Sequence, residues 1–385
     1  MIIYDYIIIG SGIAGLYTAL KLNDKYPNSK ILILEKNKYI GGRILVKRFS
    51  NKYVPIGAGV GRYDKDILLK ELLDYFNIPI KSYKTKIDYD NFYKINILNR
   101  IEILKNLNID RNKTFKQNYI NFFGKKDYNL FLKSCGYTDF ENADVIDTIY
   151  DYGFEDNTPN QNFFSVDWKN LIKCLYKELK NRGVIFRKNT DVKRVRTIIN
   201  NYLIVKTKNK DYVSSNVIYA TGIDGIKSSY PLDDFFKNNV LNSIKCNPFI
   251  RYYIKTNKEI KNIKSFTFQN NFLQKSINMG DNVYMISYSD NKYANNINKM
   301  NKYTFLSRIQ GMYNVKILNS YKHYWKCGTH YYIPLNRKIW KNRNDFINRV
   351  QKYKKNIYIV GELISKNQGW VEGALESVEN ILEYI

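Results

Sequence analysis

The stretch Ile7–Leu20, with the sequence IIIGSGIAGLYTAL, decides the fold of this chain. The three isoleucines predict a buried strand, and the apolar residues from Leu16 onward recur at helical spacing. Between them lies a GxGxxG turn formed by Gly10, Gly12 and Gly15. Strand, glycine turn and helix in this order are typical of a dinucleotide-binding unit. The first glycine permits the turn, the second lets backbone approach a pyrophosphate, and the third lets the helix pack on the strand.

A carboxylate follows where such a unit needs one. A second apolar run, Ile31–Leu34, ends in Glu35, twenty residues after Gly15, and Lys36 comes next. We expect Glu35 to accept a hydrogen bond from a ribose hydroxyl. The first turn of the helix, at Ile13 and Ala14, is expected to direct free N–H groups at the phosphates. The alternative, an ordinary strand-helix turn, leaves Glu35 as a surface residue.

Composition limits the class of protein. A chain of 385 residues with 44% hydrophobic residues is globular and long enough for two lobes. The net charge of +27 invites a nucleic-acid partner. The basic residues are spread along the chain, however, together with much Asn, Ile, Tyr and Phe, which are residues of AT-rich codons. Nucleic acid therefore stays a non-specific possibility only.

Cysteine and histidine give no sign of a metal site or a disulfide framework. The four cysteines, Cys135, Cys174, Cys246 and Cys327, are widely separated and form no CxxC pair, so we expect neither a zinc site nor a disulfide framework. With only His323 and His330 in the chain, we expect no histidine-based metal cluster. No signal peptide precedes the first strand, and no segment has the length of a membrane span. The expectation is a soluble, cytoplasmic protein.

Gly41-Gly42-Arg43 lies directly after the predicted ribose carboxylate. Adjacent glycines let backbone pass close to a ligand, and arginine can bond a pyrophosphate. In this position, Gly42 and Arg43 resemble the second fingerprint of the flavin-dependent amine oxidase superfamily, which includes monoamine and polyamine oxidases, protoporphyrinogen oxidases and related desaturases. The resemblance implies an α/β fold, in which a Rossmann-like FAD-binding domain is interleaved with an α+β substrate domain.

The resemblance also implies domain boundaries. The FAD-binding domain would comprise residues 1–83, 161–240 and 335–385, and the substrate domain residues 84–160 and 241–334. Within the first domain, apolar spacing predicts a helix ending near Phe76, capped by Asp64 or Asp66, and a helix over Trp168–Asn181, started by Ser165 or Asp167. Weaker helical patterns occupy Ile95–Leu107 and Tyr128–Lys133 in the substrate domain.

Further cofactor contacts are implied by segments similar to those of the superfamily. A glycine-rich segment that runs beneath the flavin ring matches Gly57, Ala58 and Gly59. A valine whose backbone brackets the adenine matches Val192. Residues near the C-terminus match Gly361 and Glu362 at the ribityl or pyrophosphate portion, and Val371 at the start of a final helix, where N–H groups would meet the ring. Cys327 falls outside the register of the cysteine that is bonded to flavin in some monoamine oxidases, so non-covalent FAD is expected.

Three residues are implied on the substrate side. Trp370 takes the place of an aromatic residue that flanks the substrate, and Tyr331 or Tyr332 would form an aromatic wall. Many superfamily members carry a lysine that holds a water near flavin N5. The matching segment here places Arg251 at that point, with Lys245 as the other candidate. The catalytic set is therefore Trp370, Tyr332 and Arg251, without a metal.

The function implied is oxidation of an amine. A hydride passes from a carbon next to nitrogen to flavin N5, and oxygen reoxidises the flavin. The alternatives are a flavoenzyme acting on a porphyrinogen or polyene, and a catalytically silent flavin-binding protein whose basic surface meets nucleic acid. A small-molecule substrate is expected in the first two cases. The sequence gives no oligomeric state.

Overall fold

A computed structural model describes residues 2–90, 94–198 and 201–385. The strands, in chain order, are β1 (Ile3–Ile9), β2 (Ile31–Leu34), β3 (Val46–Phe49), β4 (Lys52–Pro55), β5 (Val60–Arg62), β6 (Lys81–Lys84), β7 (Ile87–Tyr89), β8 (Asn162–Ser165), β9 (Ile185–Arg187), β10 (Val192–Thr197), β11 (Leu203–Thr207), β12 (Asp211–Tyr219), β13 (Ile244–Thr256), β14 (Phe266–Phe268), β15 (Lys275–Asn278), β16 (Val283–Asp290), β17 (Ile317–Tyr332) and β18 (Ile357–Ile359).

The helices are α1 (Ile13–Lys25), α2 (Ile67–Tyr75), α3 (Ile97–Lys105), α4 (Phe115–Cys135), α5 (Val145–Asp151), α6 (Trp168–Asn181), α7 (Ile223–Ser229), α8 (Asn291–Lys299), α9 (Lys302–Tyr313), α10 (Arg343–Gln351) and α11 (Val371–Leu382). Short 3₁₀ turns span Gly42–Ile44, Phe154–Asn157 and Glu362–Ile364, and one π-helical turn spans Phe236–Leu241. In residues 2–90, 94–198 and 201–385, none of these helices has the length and apolarity required to cross a bilayer.

The first sheet has β1 near its centre. Its strand order is β10-β11-β12-β1-β2-β9, and β18 pairs with the end of β12. The pairs of β1 with β2 and β12 are parallel, with Ile8 opposite Ile33 and Ile218. Ile8 faces a core that includes α1, α6 and α11, whereas Ile7 and Ile9 face a second core with α7 and α10. Helices cover both faces, which explains why β1 is apolar at consecutive positions. The predicted Rossmann-like arrangement is confirmed.

The helices predicted around this sheet are confirmed. α6 covers the predicted span, and the Asp167 side chain accepts a hydrogen bond from the backbone N–H of Asn170 at 3.1 Å. α2 begins after Asp66. The carboxylate of Asp66 binds Arg62, and the N-terminus of α2 is capped by Glu372 instead, which accepts from the N–H groups of Leu68 and Leu69 at 2.8 and 3.0 Å. This contact fixes the start of α2 against the start of α11.

The second sheet is mostly antiparallel, in the order β17-β13-β16-β15-β14-β7. Five of its six strands come from residues 244–332, and α9 precedes β17 in the chain. Tyr252 and Ile254 of β13 pack against Phe305 and Ile309 of α9 on one face of this sheet. The opposite face of the sheet is left for the cavity described below.

A helical insertion, α3 to α5, lies between the two sheets in sequence. The helical patterns at Ile95–Leu107 and Tyr128–Lys133 are confirmed as parts of α3 and α4. Phe115, Tyr119, Phe131 and Phe140 are buried together in one aromatic core. α4 is interrupted at Gly124, which has a φ of 80°.

The strands of the two sheets come from different parts of the chain. Those of the first sheet lie within residues 3–34, 185–219 and 357–359, and those of the second within residues 87–89 and 244–332. This separation agrees with the interleaved arrangement expected from the sequence. The exact domain boundaries stay a prediction.

The structure contains a disulfide that the spacing of the cysteines did not predict. Cys246 and Cys327 form a disulfide across β13 and β17, with a Cα–Cα distance of 5.3 Å. They are 81 residues apart in sequence, so no short spacing pointed to them. Strand register provides the reason: Asn247 pairs with Thr329 and Phe249 with Trp325, and this irregularity brings Cys327 beside Cys246.

Candidate functional site

A cavity of about 1150 Å³ lies between the two sheets. It exceeds the roughly 300–1,000 Å³ of most small-molecule pockets, so it has room for a large cofactor together with a substrate. Gly12, which caps the start of α1, and Val371, the first residue of α11, both line it. Two helix N-termini from opposite ends of the chain thus meet at one cavity. Each places free N–H groups and the positive end of a helix dipole there.

The three GxGxxG glycines differ in what a side chain at each position would meet. A β-carbon on Gly10 would lie 2.5 Å from the carbonyl oxygen of Ala220, and one on Gly15 would lie 2.1 Å from that of Gly10. These two glycines therefore allow close packing of turn, strand and helix. A β-carbon on Gly12 would meet no protein atom within 4 Å. Its direction is open, which leaves space for a ligand against the backbone.

Glu35 lies on the cavity wall but is almost fully buried. One carboxylate oxygen accepts from the N–H and Oγ of Ser11 at 2.9 and 2.8 Å. The other accepts from the N–H and Nδ2 of Asn37, both at 2.8 Å. Four donors hold the carboxylate in a fixed orientation at the end of β2. Two of them are side-chain groups, which can rotate away in favour of a ligand hydroxyl.

Arg43 and Glu362, which also line the cavity, form an ion pair. The carboxylate of Glu362 also accepts from Nδ1 of His330 and from the N–H of Gly369, the latter at 3.0 Å. His330 Nε2 accepts from the N–H of Ile223 at 3.2 Å, so the ring proton lies on Nδ1. Burial alone would raise the pKa of Glu362, but its interactions with His330 and Arg43 outweigh burial and lower the pKa well below its usual value.

Trp370 lies on the cavity wall directly before α11. The guanidinium of Arg62 stacks on its ring at 4.0 Å from the centroid. Arg62 is itself held by Asp66 at 2.6 Å and by Asp156 at 3.3 Å. The cation–π contact with Arg62 therefore holds the indole in place at the cavity wall.

The structure brings the predicted cofactor residues together, with one exception. The following line the cavity: Gly10, Gly12, Ile13, Ala14, Glu35, Lys36, Gly42, Arg43, Gly57, Ala58, Gly59, Val192, Gly361, Glu362 and Val371. Gly15 lies behind the wall, because its role is to pack against Gly10. Gly57 also has a packing role, since a β-carbon there would overlap the carbonyl oxygen of Arg43 at 1.7 Å.

Arg251 lines the cavity, whereas the other candidate, Lys245, does not. Its side chain is buried between two walls of the site. The guanidinium carbon lies 4.5 Å from the centroid of the Tyr288 ring, and Nη1 donates to the carbonyl oxygen of Pro55 at 3.4 Å. A β-carbon on Gly59 would lie 3.6 Å from Nη2. Arg251 is therefore a buried cation of the cavity wall and not an exposed residue of β13.

The structure places Tyr332 away from the cavity, so its assignment as an aromatic wall is corrected. Its ring is buried beneath the Arg343 guanidinium, 4.2 Å from the ring centroid, and its hydroxyl donates to the carbonyl oxygen of Ser365 at 3.1 Å. Tyr331 is absent from the wall as well. The wall is formed instead by the consecutive residues 325–329 at the bulge of β17. Tyr332 lies further along the strand, where it pairs with Ile244 and packs into the core beside α7 and α10.

The helical insertion supplies wall residues that the sequence did not reveal. Tyr137, Asp139 and Tyr152 line the cavity, and Tyr137 contacts Tyr288 edge to face at 5.9 Å. The Tyr152 hydroxyl donates to Asp139 at 2.7 Å. Burial and the nearby carboxylate of Asp290 raise the pKa of Asp139 to about 7. No motif marks these residues, because they come from a loop and a helix end whose position depends on tertiary packing.

Lys275 is fully buried behind this wall. Its ammonium group donates to the carbonyl oxygen of Gly136 and lies 3.3 Å from the centroid of the Tyr137 ring. Burial lowers the pKa of Lys275 to about 8.

One group of potential metal ligands comes together in the part of the chain that the structure describes. Ligand atoms of Cys246, Cys327 and His330 lie within 4.8 Å of one another. The two sulfur atoms are bonded to each other, and the two nitrogens of His330 bind Glu362 and Ile223. These contacts occupy the donor atoms that a metal would require.

Comparisons with known proteins agree with this architecture. Residues 8–76 match the model of the NAD(P)-binding Rossmann-like domain family. A short segment of 56 residues is 40% identical to an uncharacterised protein of Acanthamoeba polyphaga mimivirus; it covers 14% of this chain and 11% of that protein. The chain thus matches only a small part of this relative's length.

The structural likeness is far more extensive. A double mutant of putrescine oxidase, made for redesign of cofactor binding, superimposes with a TM-score of 0.73. The superposition covers 98% of this chain and 97% of the other, at 12% sequence identity. At this identity the likeness establishes the fold. The chain therefore has an α/β architecture with a Rossmann-like domain and the overall fold of putrescine oxidase.

Proposed function

We propose that this protein is an FAD-dependent oxidoreductase of amine oxidase type. The observation that carries the proposal is the single cavity shared by the N-termini of α1 and α11, with Gly12 at one and Val371 at the other. One helix belongs to a dinucleotide-binding signature and the other lies beside Trp370 and the aromatic wall of the second sheet. A cofactor that spans nucleotide and redox ring would reach both.

The residues present fit FAD. The open side of Gly12 and the N–H groups of the first turn of α1 suit a pyrophosphate. Glu35 offers a fixed acceptor to a ribose hydroxyl, and Val192, which also lines the cavity, would contact the adenine. The start of α11 offers N–H groups to a ring that gains negative charge on reduction. Cys327 is bonded to Cys246, which supports non-covalent binding.

Bound FAD would accept a hydride from a carbon next to nitrogen. Oxygen is the proposed final acceptor of the electrons. The residues of this chain would orient the substrate, exclude water and hold the cavity wall in place. Trp370, Tyr288 and Tyr137 give apolar faces that orient a substrate and exclude water. The ion pair between Arg43 and Glu362 fixes the loop before α11, so that the helix N-terminus stays at the cavity.

The test is anaerobic reduction of the purified holoprotein. FAD should copurify, be released intact by denaturation, and lose its visible absorbance when an amine substrate is added. A panel of amines, a porphyrinogen and a polyene separates the candidate reactions. Bleaching by a porphyrinogen or polyene alone would replace the amine assignment. Persistent colour with every compound, together with binding of a defined nucleic acid at physiological salt, would establish a silent binding protein instead.

A further inference from the structure

Arg251 is a buried cation without a carboxylate partner among residues 2–90, 94–198 and 201–385. Two other arginines are equally buried. Arg62 pairs with Asp66 and Asp156, and Arg343 pairs with Asp144 and Asp147, so both follow the rule that buried charges are paired. Arg251 has only neutral partners among the described residues: the carbonyl oxygen of Pro55 at 3.4 Å, the side chain of Tyr253 and the ring of Tyr288.

In the part of the chain that the structure describes, no carboxylate forms an ion pair with Arg251, and a second cation lies nearby. The ring of Tyr288 contacts both its guanidinium, 4.5 Å from the ring centroid, and the ammonium group of Lys275, 4.8 Å from the centroid. Tyr253 is also adjacent, with its hydroxyl bound to the carbonyl oxygen of Pro55. Two buried cations thus share one aromatic side chain. An uncompensated guanidinium is costly to bury, and an anionic ligand would remove that cost.

The guanidinium faces the cavity. Nη1 and Nη2 lie 3.7 and 3.6 Å from the position of a β-carbon on Gly59, which is itself part of the wall. A guanidinium has five N–H donors in a planar fork, and one is committed to Pro55. The remaining fork matches the two oxygens of a carboxylate.

We propose that Arg251 binds a carboxylate of the substrate, so that the natural substrate is an amino acid and not a simple amine or diamine. The inference rests on the proposed oxidase function and specifies its substrate class. Because Arg251 lies beside the Gly57–Gly59 segment, the carboxylate is the one attached to the carbon that is oxidised. A plain diamine would bring further positive charge to a buried cation, which is unfavourable.

The reaction balances as follows. The C–H bond next to the carboxylate breaks and its electron pair leaves with the hydrogen as hydride to FAD, while nitrogen loses a proton and a C=N bond forms. Water then hydrolyses that bond. With oxygen as the final oxidant, an amino acid, O₂ and H₂O give a 2-oxo acid, ammonium and H₂O₂. Arg251 holds the carboxylate throughout and exchanges no proton.

The experiment uses pairs of compounds that differ only in the carboxylate: ornithine and putrescine, lysine and cadaverine, phenylalanine and phenethylamine. Rates of anaerobic flavin bleaching are measured against concentration for wild type, Arg251→Lys and Arg251→Met. Lys326→Met serves as the control, because Lys326 is an exposed cation at the same cavity. FAD content and circular dichroism establish that each variant is folded.

In at least one pair, the amino acid should reduce the flavin at lower concentration than the amine. Arg251→Met should raise the half-saturating concentration of the amino acid about 30-fold or more, with the amine changed much less. Arg251→Lys should retain part of the preference for the amino acid over the amine, and Lys326→Met should retain nearly all of that preference. Equal effects of Arg251→Met on both members would overturn the proposal and assign Arg251 to the cofactor.

A binding measurement separates this inference from the proposed function. Benzoate, a carboxylate that cannot be oxidised in this way, should perturb the absorbance of bound FAD in wild type, and benzylamine and benzamide should do so more weakly. The benzoate signal should be lost in Arg251→Met. Bleaching by amines alone, with no benzoate binding, would sustain the oxidase and reject the carboxylate site. Benzoate binding without any bleaching would sustain the site and reject the oxidase.

Discussion

The carboxylate of Glu362 pairs with the guanidinium of Arg43, 319 residues earlier in the chain. Arg43 also donates to the carbonyl oxygen of Gly328 at 2.8 Å, so it joins the glycine turn after β2 to β17 and to the loop before α11. Three segments of the cavity wall are thus held by one charged group. Glu362 also accepts from Nδ1 of His330, and the N–H of Ile223 donates to Nε2, so His330 is held in a single tautomer.

Glu362→Gln should destabilise the protein by about 3 kcal/mol at neutral pH, because it leaves Arg43 without its buried partner. The pKa of Glu362 is lowered in the fold, so its stabilising effect is present above the unfolded value of 4.5 and is lost as the pH falls below it. The variant should therefore show a flatter loss of stability between about pH 5 and pH 3. Urea unfolding across this range checks both effects. The exposed Glu102→Gln provides the control, with little change expected.

Gly12→Ala and Gly15→Ala should differ sharply although they are three residues apart. A β-carbon at position 12 meets no protein atom within 4 Å, so the variant should fold with nearly wild-type stability but fail to retain FAD. A β-carbon at position 15 overlaps the Gly10 carbonyl oxygen at 2.1 Å and should cost about 3 kcal/mol or more. Thermal unfolding measures the stability of each variant, and the FAD content of the purified protein measures its retention of cofactor. Retention of FAD by Gly12→Ala would place the pyrophosphate elsewhere.

Glu35→Ala should weaken FAD binding about 10- to 100-fold through loss of a charged acceptor for the ribose. Apoprotein titrated with FAD, followed by quenching of flavin fluorescence, gives the dissociation constant. Glu35→Gln keeps the shape of the side chain, so its dissociation constant for FAD should lie between those of wild type and Glu35→Ala. An unchanged dissociation constant in Glu35→Ala would contradict the ribose assignment.

Trp370→Ala should leave FAD bound and slow flavin reduction about tenfold or more, because the substrate loses a rigid face that orients it. Arg62 would remain held by Asp66 and Asp156, so the fold should persist. Trp370→Phe should recover much of the rate. Stopped-flow reduction with matched FAD content is the measurement. Loss of FAD in the alanine variant would instead assign Trp370 to the cofactor.

The disulfide between Cys246 and Cys327 should stabilise the fold by about 4 kcal/mol, because it closes a long loop in the unfolded chain. Alkylation under denaturing conditions, without reductant, should modify only Cys135 and Cys174. Cys246→Ser should lower the urea midpoint, whereas Cys174→Ser should change it little. Four modified cysteines in the unreduced protein would disprove the bond.

Local sequence determined the fold and the nucleotide side of the site. The strand at Ile7, the three glycines and Glu35 lie within one strand-turn-helix-strand unit, where spacing along the chain fixes spacing in space. α6 could be predicted to the residue for the same reason, since apolar periodicity and the Asp167 cap are both local.

Only the tertiary structure decided the substrate side. The register of β13 against β17 joins Cys246 to Cys327 and turns Tyr332 away from the cavity, and a shift of one residue would reverse which side chains face it. Packing of the helical insertion brings Tyr137 and Asp139 to the wall. The sequence alone gives the charge of Arg251. Its burial without a carboxylate partner among the described residues is a property of the fold, because burial and pairing depend on residues that are distant in the chain.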